Sequence, residues 1–356
     1  MISAQDKKPE STRVFIASGA PDGILAYDWD PAAASLTAAG VAAKIPSVDW
    51  VCFSPGRNHI FAACEIDAFE GKAAGEVASF EYADGELKQL SARASAGVGT
   101  CHVAVDATGR TLISADYMGG SAASFRITDG KLSEAVWSEH YKYHGPNTDR
   151  QESAHAHFAS FSPDNRYAYI NDLGGDCIHI YRHDAATSVL APTGTYTGAP
   201  GSGPRTLHFH PNGHTAYCMN EIASTVDQLE WHANGGSLSL VKRIDLLPAG
   251  YHGPTRGCDT VITKDGRFVY FANRDNNFLF SFSADPKTGA LAPMVRSSCG
   301  GKTPRSFTLD PTEKWMLVAN QDSNVISVFA RDPETGKLAD EGKNYDALAP
   351  MCILFA

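Results

Sequence analysis

Several things are scarce in this 356-residue chain. No stretch approaches the roughly 18 consecutive apolar residues of a membrane span, so no membrane association through a spanning helix is expected. Positive charge is in deficit: 30 Lys and Arg stand against 40 Asp and Glu, a net charge of −10. Nucleic acid is therefore excluded as a partner, because phosphate contacts need a basic face. The eight cysteines form no CxxC pair, and their spacing follows a repeat rather than a metal or disulfide framework. Free thiols suit a reducing compartment, so a cytoplasmic location is expected, or a periplasmic one if a signal peptide has been removed. The opening residues, MISAQDKKPEST, hold no signal-like apolar segment, and residues 1–11 are expected to be a flexible lead-in. There is no GxGxxG, no Walker loop, no HExxH and no GxSxG elbow. Those absences leave no cofactor to expect.

What the chain does have is repetition. An apolar strand enters a polar turn, a second apolar strand follows, and further strands end on a Gly- or Asp-rich turn. The turn anchors Pro55, Ala107, Pro163, Pro211, Lys264 and Pro311 are 52, 56, 48, 53 and 47 residues apart. A period near 50 made of strands predicts an all-β, seven-bladed β-propeller of four-stranded antiparallel blades, one domain over residues 12–356. Six copies are complete and the seventh is split. The terminal PMCILFA reads as a first strand without partners, and the segment from Thr12 reads as strands without a first. Pairing the two would close the ring and remove two exposed sheet edges. A closed ring needs no partner, so a monomer is expected.

Hairpin geometry locates a candidate site. First strands should start near Trp50, His102, His157, Arg205, Asp259 and Arg305, and second strands should end near Glu65, Asp116, Asp172, Glu221, Arg274 and Gln321. Each pair is 14 to 16 residues apart, two strands and a turn, so all twelve should ring one mouth of the channel. Innermost propeller strands are crowded, and charged groups repeated there need partners or a ligand. Arg205, Arg274 and Arg305 in an acidic protein point to a small anion, since guanidinium matches carboxylate and phosphate. His157 and Glu221 are the groups that could move protons. Structural alternatives stand beside each reading. Arg305 could pair with a neighbouring blade's carboxylate, Glu221 could only neutralise Arg205 or Arg274, and His102 could be a hydrogen-bonded structural histidine.

Two pairs, His155 with His157 and His208 with His210, have the alternating spacing of metal ligands on one face of a strand. His210 precedes Pro211 at the far end of its strand, so the pairs should not converge and no metal is expected. The loop Ser138 to His157 should overhang the mouth and bring Arg150, Gln151 and Glu152 to it. GSGPR, Gly201 to Arg205, opens a strand as a tight loop whose backbone could meet an anion. The segment Leu246 to Asp259 could wall the pocket with Tyr251, His252 and Arg256.

The stretches RQESAHAHFASFSPDNRYAYINDLGGDCIHIYR, GSGPRTLHFHPNGHTAYCMNEIASTV and KDGRFVYFANRD resemble the seven-bladed propeller lactonase family. That family includes a bacterial 6-phosphogluconolactonase and, more distantly, a fungal carboxy-muconate lactonizing enzyme. The resemblance implies a metal-independent lactonase with a small anionic lactone as substrate, most simply 6-phosphogluconolactone. It implies catalytic roles for His157, Glu221, Arg205 and Arg274. Arg305, His102, Arg150, Gln321 and Glu65 are the expected substrate contacts. The chain departs from the family's pattern at Thr206 and Ala154. Two rival functions are a muconate-type cycloisomerase, which needs the same acid, base and arginines, and a propeller that only binds proteins.

Overall fold

The computed structural model describes residues 12–293 and 295–356; the lead-in expected at 1–11 lies outside them. Seven sheets of four antiparallel strands are arranged in a ring. The innermost strands are Val48–Phe53, Thr100–Val105, Ala156–Phe161, Pro204–Phe209, Gly257–Ile262, Pro304–Leu309 and Pro350–Phe355. The last of these pairs with Thr12–Ser18, Val14 opposite Phe355 and Ile16 opposite Ile353, which is the one-plus-three closure expected of the split repeat. Among the described residues the one helical element is the short turn Gln321–Ser323. Among the same residues no helix is long and apolar enough to cross a membrane.

Second strands are buried nearly throughout and mostly apolar because both their faces are covered. In Phe268–Asn273, residues Phe268, Tyr270 and Ala272 pack toward the sixth blade with Met316 and Val318. Val269 and Phe271 point the other way, onto Tyr217 and Met219 of the fourth blade. Side chains alternate along a strand, so one strand serves two interfaces. The same division recurs around the ring, and each of the seven apolar clusters lies between two adjacent blades.

Each inner strand carries an irregularity at its start. Val48 pairs with Cys64 and Trp50 with Ala63, so Asp49 is an extra residue with no partner opposite. The extra residue is Cys101 in the second blade, His157 in the third, Arg205 in the fourth, Arg305 in the sixth and Met351 in the seventh. In the fifth blade Cys258 and Asp259 share the place. A β-bulge breaks the alternation of the ladder and re-aims a side chain. Here it directs one residue per blade to the same end of the channel.

Candidate active site

The second strand supplies the other half of the site. The residue just after it donates its N–H to the carbonyl of the residue just before the inner strand, as in Glu65 to Ser47, Tyr117 to Gly99, Glu221 to Gly203 and Arg274 to Arg256. Leu173, Gln321 and Gly19 repeat the bond in the remaining blades. Asp116 and Asp172, expected in this ring, are each one residue short of the position. A one-residue step in a strand reverses the face. Asp116 therefore points into its blade, where Ser95, Thr100 and Ser121 donate hydroxyls to it at 2.6, 2.7 and 2.8 Å. Tyr117 takes the place at the mouth.

Bulge and post-strand residues enclose a cavity of about 140 Å³. Of the sequence-derived site it brings together Glu65, Arg150, His157, Arg205, Glu221, Arg256, Arg274 and Arg305, and adds Cys101 and Tyr117. At its centre is Glu221, wholly buried. Arg205 Nη1 donates to Glu221 Oε2, Arg274 Nη2 reaches the same oxygen at 2.7 Å, and Arg150 Nη2 reaches Oε1 at 2.5 Å. Burial opposes this carboxylate's charge, but the guanidiniums of Arg274, Arg205 and Arg150 outweigh it and hold its pKa well below the ordinary range. Arg150 comes from the long loop, with one third of its side chain still exposed, and is braced by the Tyr117 hydroxyl at 3.0 Å.

His157 is the bulge residue beside Arg205. Its Nε2 lies 2.5 Å from Arg205 Nη1, so the imidazole accepts and is neutral. Burial first, and the Arg205 charge second, push its pKa well below the usual value. Arg305 is bound to Asp49 at 2.7 and 2.9 Å, the carboxylate pairing allowed for in the sequence, although the partner lies beyond the intervening seventh blade. Arg256 is likewise held by Asp275, at 2.5 Å. Glu65 is half-buried, and burial together with the Asp49 charge pushes its pKa up to about 7.

Two expected contacts are not brought to this cavity. His102 follows the Cys101 bulge and so lies deeper, stacked between Trp50 and Phe158 at 4.7 and 3.9 Å, with its Nδ1 accepting from the Ala159 N–H. Gln321 opens the short helical turn and is not among the lining residues. Other neighbours have structural roles. Gln151 is fully buried and donates to Leu173 O and Asp176 Oδ1, which ties the loop down rather than offering the residue to a ligand. Glu152 pairs with His155 at 3.2 Å. The GSGPR loop does meet an anion, an internal one: Gly201 and Gly203 donate to the Asp176 carboxylate at 2.6 and 2.8 Å. Tyr251 is outside the cavity and bonds Asn276. His208 lines the channel lower down, 3.6 Å from Asp259, whereas His210 binds Gly266 O, so the two histidine pairs do not converge. Asp49 and Tyr117 were missed as site residues, whereas Arg256 of the Leu246 to Asp259 segment does line the cavity as expected; the bulge that aims Asp49 leaves no mark in residue spacing.

Comparison with known proteins agrees with this architecture. The family model described as "Lactonase, 7-bladed beta-propeller" matches residues 13–355. The 6-phosphogluconolactonase of Bacillus subtilis is 31% identical over 300 residues, covering 84% of each chain. That of Formosa agariphila is 29% identical over 326 residues, 89% of this chain and 87% of the relative. The structure of a periplasmic gluconolactonase from Pseudomonas aeruginosa superposes with a TM-score of 0.90 at 29% identity, over 97% of this chain and 99% of that one.

Proposed function

The chain belongs to the seven-bladed β-propeller lactonase family and is an enzyme of lactone hydrolysis, and on that premise we propose that its substrate is an anionic sugar lactone. 6-Phosphogluconolactone, opened to 6-phosphogluconate without a catalytic metal, is the foremost candidate. The observation that carries this reading is the charge balance of the cavity. Five guanidiniums line it, and three of them converge on the single carboxylate of Glu221 in a protein of net charge −10. That surplus suits a phosphate or carboxylate on the substrate. Relatives named for the phosphorylated lactone support the same choice.

The proton-transfer groups divide by their surroundings. Glu221 is committed to three guanidiniums and His157 to one, which leaves both poor bases. Glu65 faces the same cavity with a pKa near the working pH, the condition for an efficient base. In the proposed reaction the Glu65 carboxylate takes a proton from water as its oxygen attacks the lactone carbonyl. Arg205 and Arg274, aligned by His157 and Glu221, stabilise the oxyanion. The ring C–O bond then breaks, and the departing alkoxide recovers the proton from Glu65. Arg150, at the entrance, meets the remote anionic group. The one cluster of potential metal ligands among the described residues is outside this cavity. All eight cysteines are free, in keeping with the cytoplasm, and the closed ring supports a monomer.

Fresh 6-phosphoglucono-δ-lactone should be turned over faster than unphosphorylated gluconolactone, with kcat insensitive to chelator. The advantage in kcat/KM should be about ten- to a hundredfold, because hydrogen bonds to charged groups contribute ~1.5–3 kcal/mol. Equal rates on the two lactones would remove the role given to the arginines, and collapse of kcat on chelation would remove the metal-free mechanism.

A further inference from the structure

We infer that Asp172, Cys177 and His179 of the third blade form a site for a transition-metal ion of the zinc type, anchoring the loop that carries Arg150. The three side chains meet because of the hairpin they flank. Asp172 ends one strand, Cys177 begins the next directly opposite it, and His179 is two residues further on the same face. All three are buried, and one ligand atom from each falls within 4.8 Å of the others. Since Leu173 holds the ring position of this blade, Asp172 faces away from the channel, and the cluster is separate from the catalytic cavity.

The spacings suit a shared ion better than direct hydrogen bonds. His179 Nε2 is 3.4 Å from Asp172 Oδ2 and 3.6 Å from Cys177 Sγ. An N–H···O bond to a buried carboxylate should be near 2.7–3.2 Å. Tetrahedral zinc with its usual Zn–O, Zn–N and Zn–S lengths places these ligand pairs about 3.3 and 3.5 Å apart. The other blades supply a control within the same molecule. At the same register the second blade sets Ser121 on Asp116 at 2.8 Å, and the fourth sets Asn220 on Thr225 at 3.0 Å, both ordinary bonds. In the third blade the pair at that register is the Asp172 carboxylate and the Cys177 thiol, and the His179 imidazole stands 3.4 and 3.6 Å from them.

The surroundings orient the ligands. Asp172 Oδ1 accepts the N–H groups of His155 and Gly175 at 2.8 and 3.0 Å, which turns Oδ2 toward His179. Such outer partners are what fixes a metal's ligands. A Cβ on Gly175 would stand 2.6 Å from Asp172 Oδ2, so only glycine keeps that oxygen clear. Tyr141 of the loop stacks flat on the His179 ring, 4.0 Å between centroids, and Tyr143 leans against it. A cation there ties both strands of the hairpin to the loop over the mouth. Binding releases the Cys177 thiol proton, because the ligand is the thiolate.

The test uses the full chain, reduced and stripped with chelator, and titrated with cobalt(II). One equivalent should bind with a thiolate-to-cobalt charge-transfer band in the near ultraviolet, and zinc should displace it. Cys177→Ala and His179→Ala should lose the band and bind at least about a hundredfold more weakly, since even outer-shell losses cost 10–100-fold. No stoichiometric uptake by the wild-type chain, or uptake without the thiolate band, overturns the site. A band that persists in both variants overturns it equally. If a variant fails to fold, the wild-type spectrum decides alone. The readout is metal rather than turnover, so it stands or falls apart from the lactonase reading.

Discussion

At the residue scale, the cavity contains two glutamates of similar origin and opposite character. Both follow a second strand, yet Glu221 is compensated by three guanidiniums while Glu65 has Asp49 beside the Arg305 it would share. Substituting each should separate the roles. Glu221→Gln should lower kcat/KM at every pH. It should also destabilise the fold, because removing one partner of a buried ion network typically costs ~3–5 kcal/mol. Glu65→Gln should lower kcat by about 10²–10⁴. In the wild-type chain the rate should rise with pH through about 7, as Glu65 ionises, and that limb should vanish in the variant. The linkage has the opposite sign in stability. Because folding raises this carboxyl's pKa, its contribution is present at low pH and lost as pH rises through about 7. Glu65→Gln should accordingly gain stability relative to wild type above that pH. Rate profiles beside denaturant melts at several pH values check both; an unchanged acid limb in Glu65→Gln would return the base to His157 or Glu221. That His157, Glu221, Arg205 and Arg274 line one cavity was legible from residue type and spacing. Glu65 was legible as a member of the ring but not as the base proposed for it, because its raised pKa comes from burial and from Asp49, which sits at a bulge.

At the element scale, the turn between first and second strands recurs with one residue in the left-handed region, two places after each anchor. It is Gly109, Gly213 and Gly266 in three blades, Asn165 in another, and Arg57 and Glu313 in the rest. Gly213 isolates the backbone effect, since a Cβ there would have nothing within 4 Å. Gly213→Ala should cost about 1–2 kcal/mol, the penalty of a left-handed L-residue, with an unchanged denaturant m-value. No loss in a urea melt would mean that the turn relaxes. These turns were plain in the sequence because their chemistry is local. The bulges were not. A bulge is a mismatch between two strands, so the sequence places His102 and Trp50 at the mouth, whereas pairing puts Cys101 and Asp49 there.

At the scale of the whole molecule, the ring depends on its last six residues or so. Met351, Cys352, Ile353 and Phe355 are buried in the two clusters on either side of the seventh blade. Core truncations of this kind cost ~2–5 kcal/mol each, so their joint loss would consume the roughly 5–15 kcal/mol by which a domain is stable. A chain ending at Ala349 should be insoluble or lack a cooperative melt, with the edge of Thr12–Ser18 exposed. A soluble product melting within a few degrees of the full chain would contradict this. The sequence by itself determined the number of blades, the split closure and the mouth at which polar residues gather, because repeat length, strand alternation and turn chemistry are written in neighbouring residues. Only the tertiary structure decided which residue of each strand faces the channel, which charges pair across it, and where a carboxylate, a thiol and an imidazole converge. Those outcomes rest on register and on contacts between distant blades, where a shift of one residue reverses a side chain.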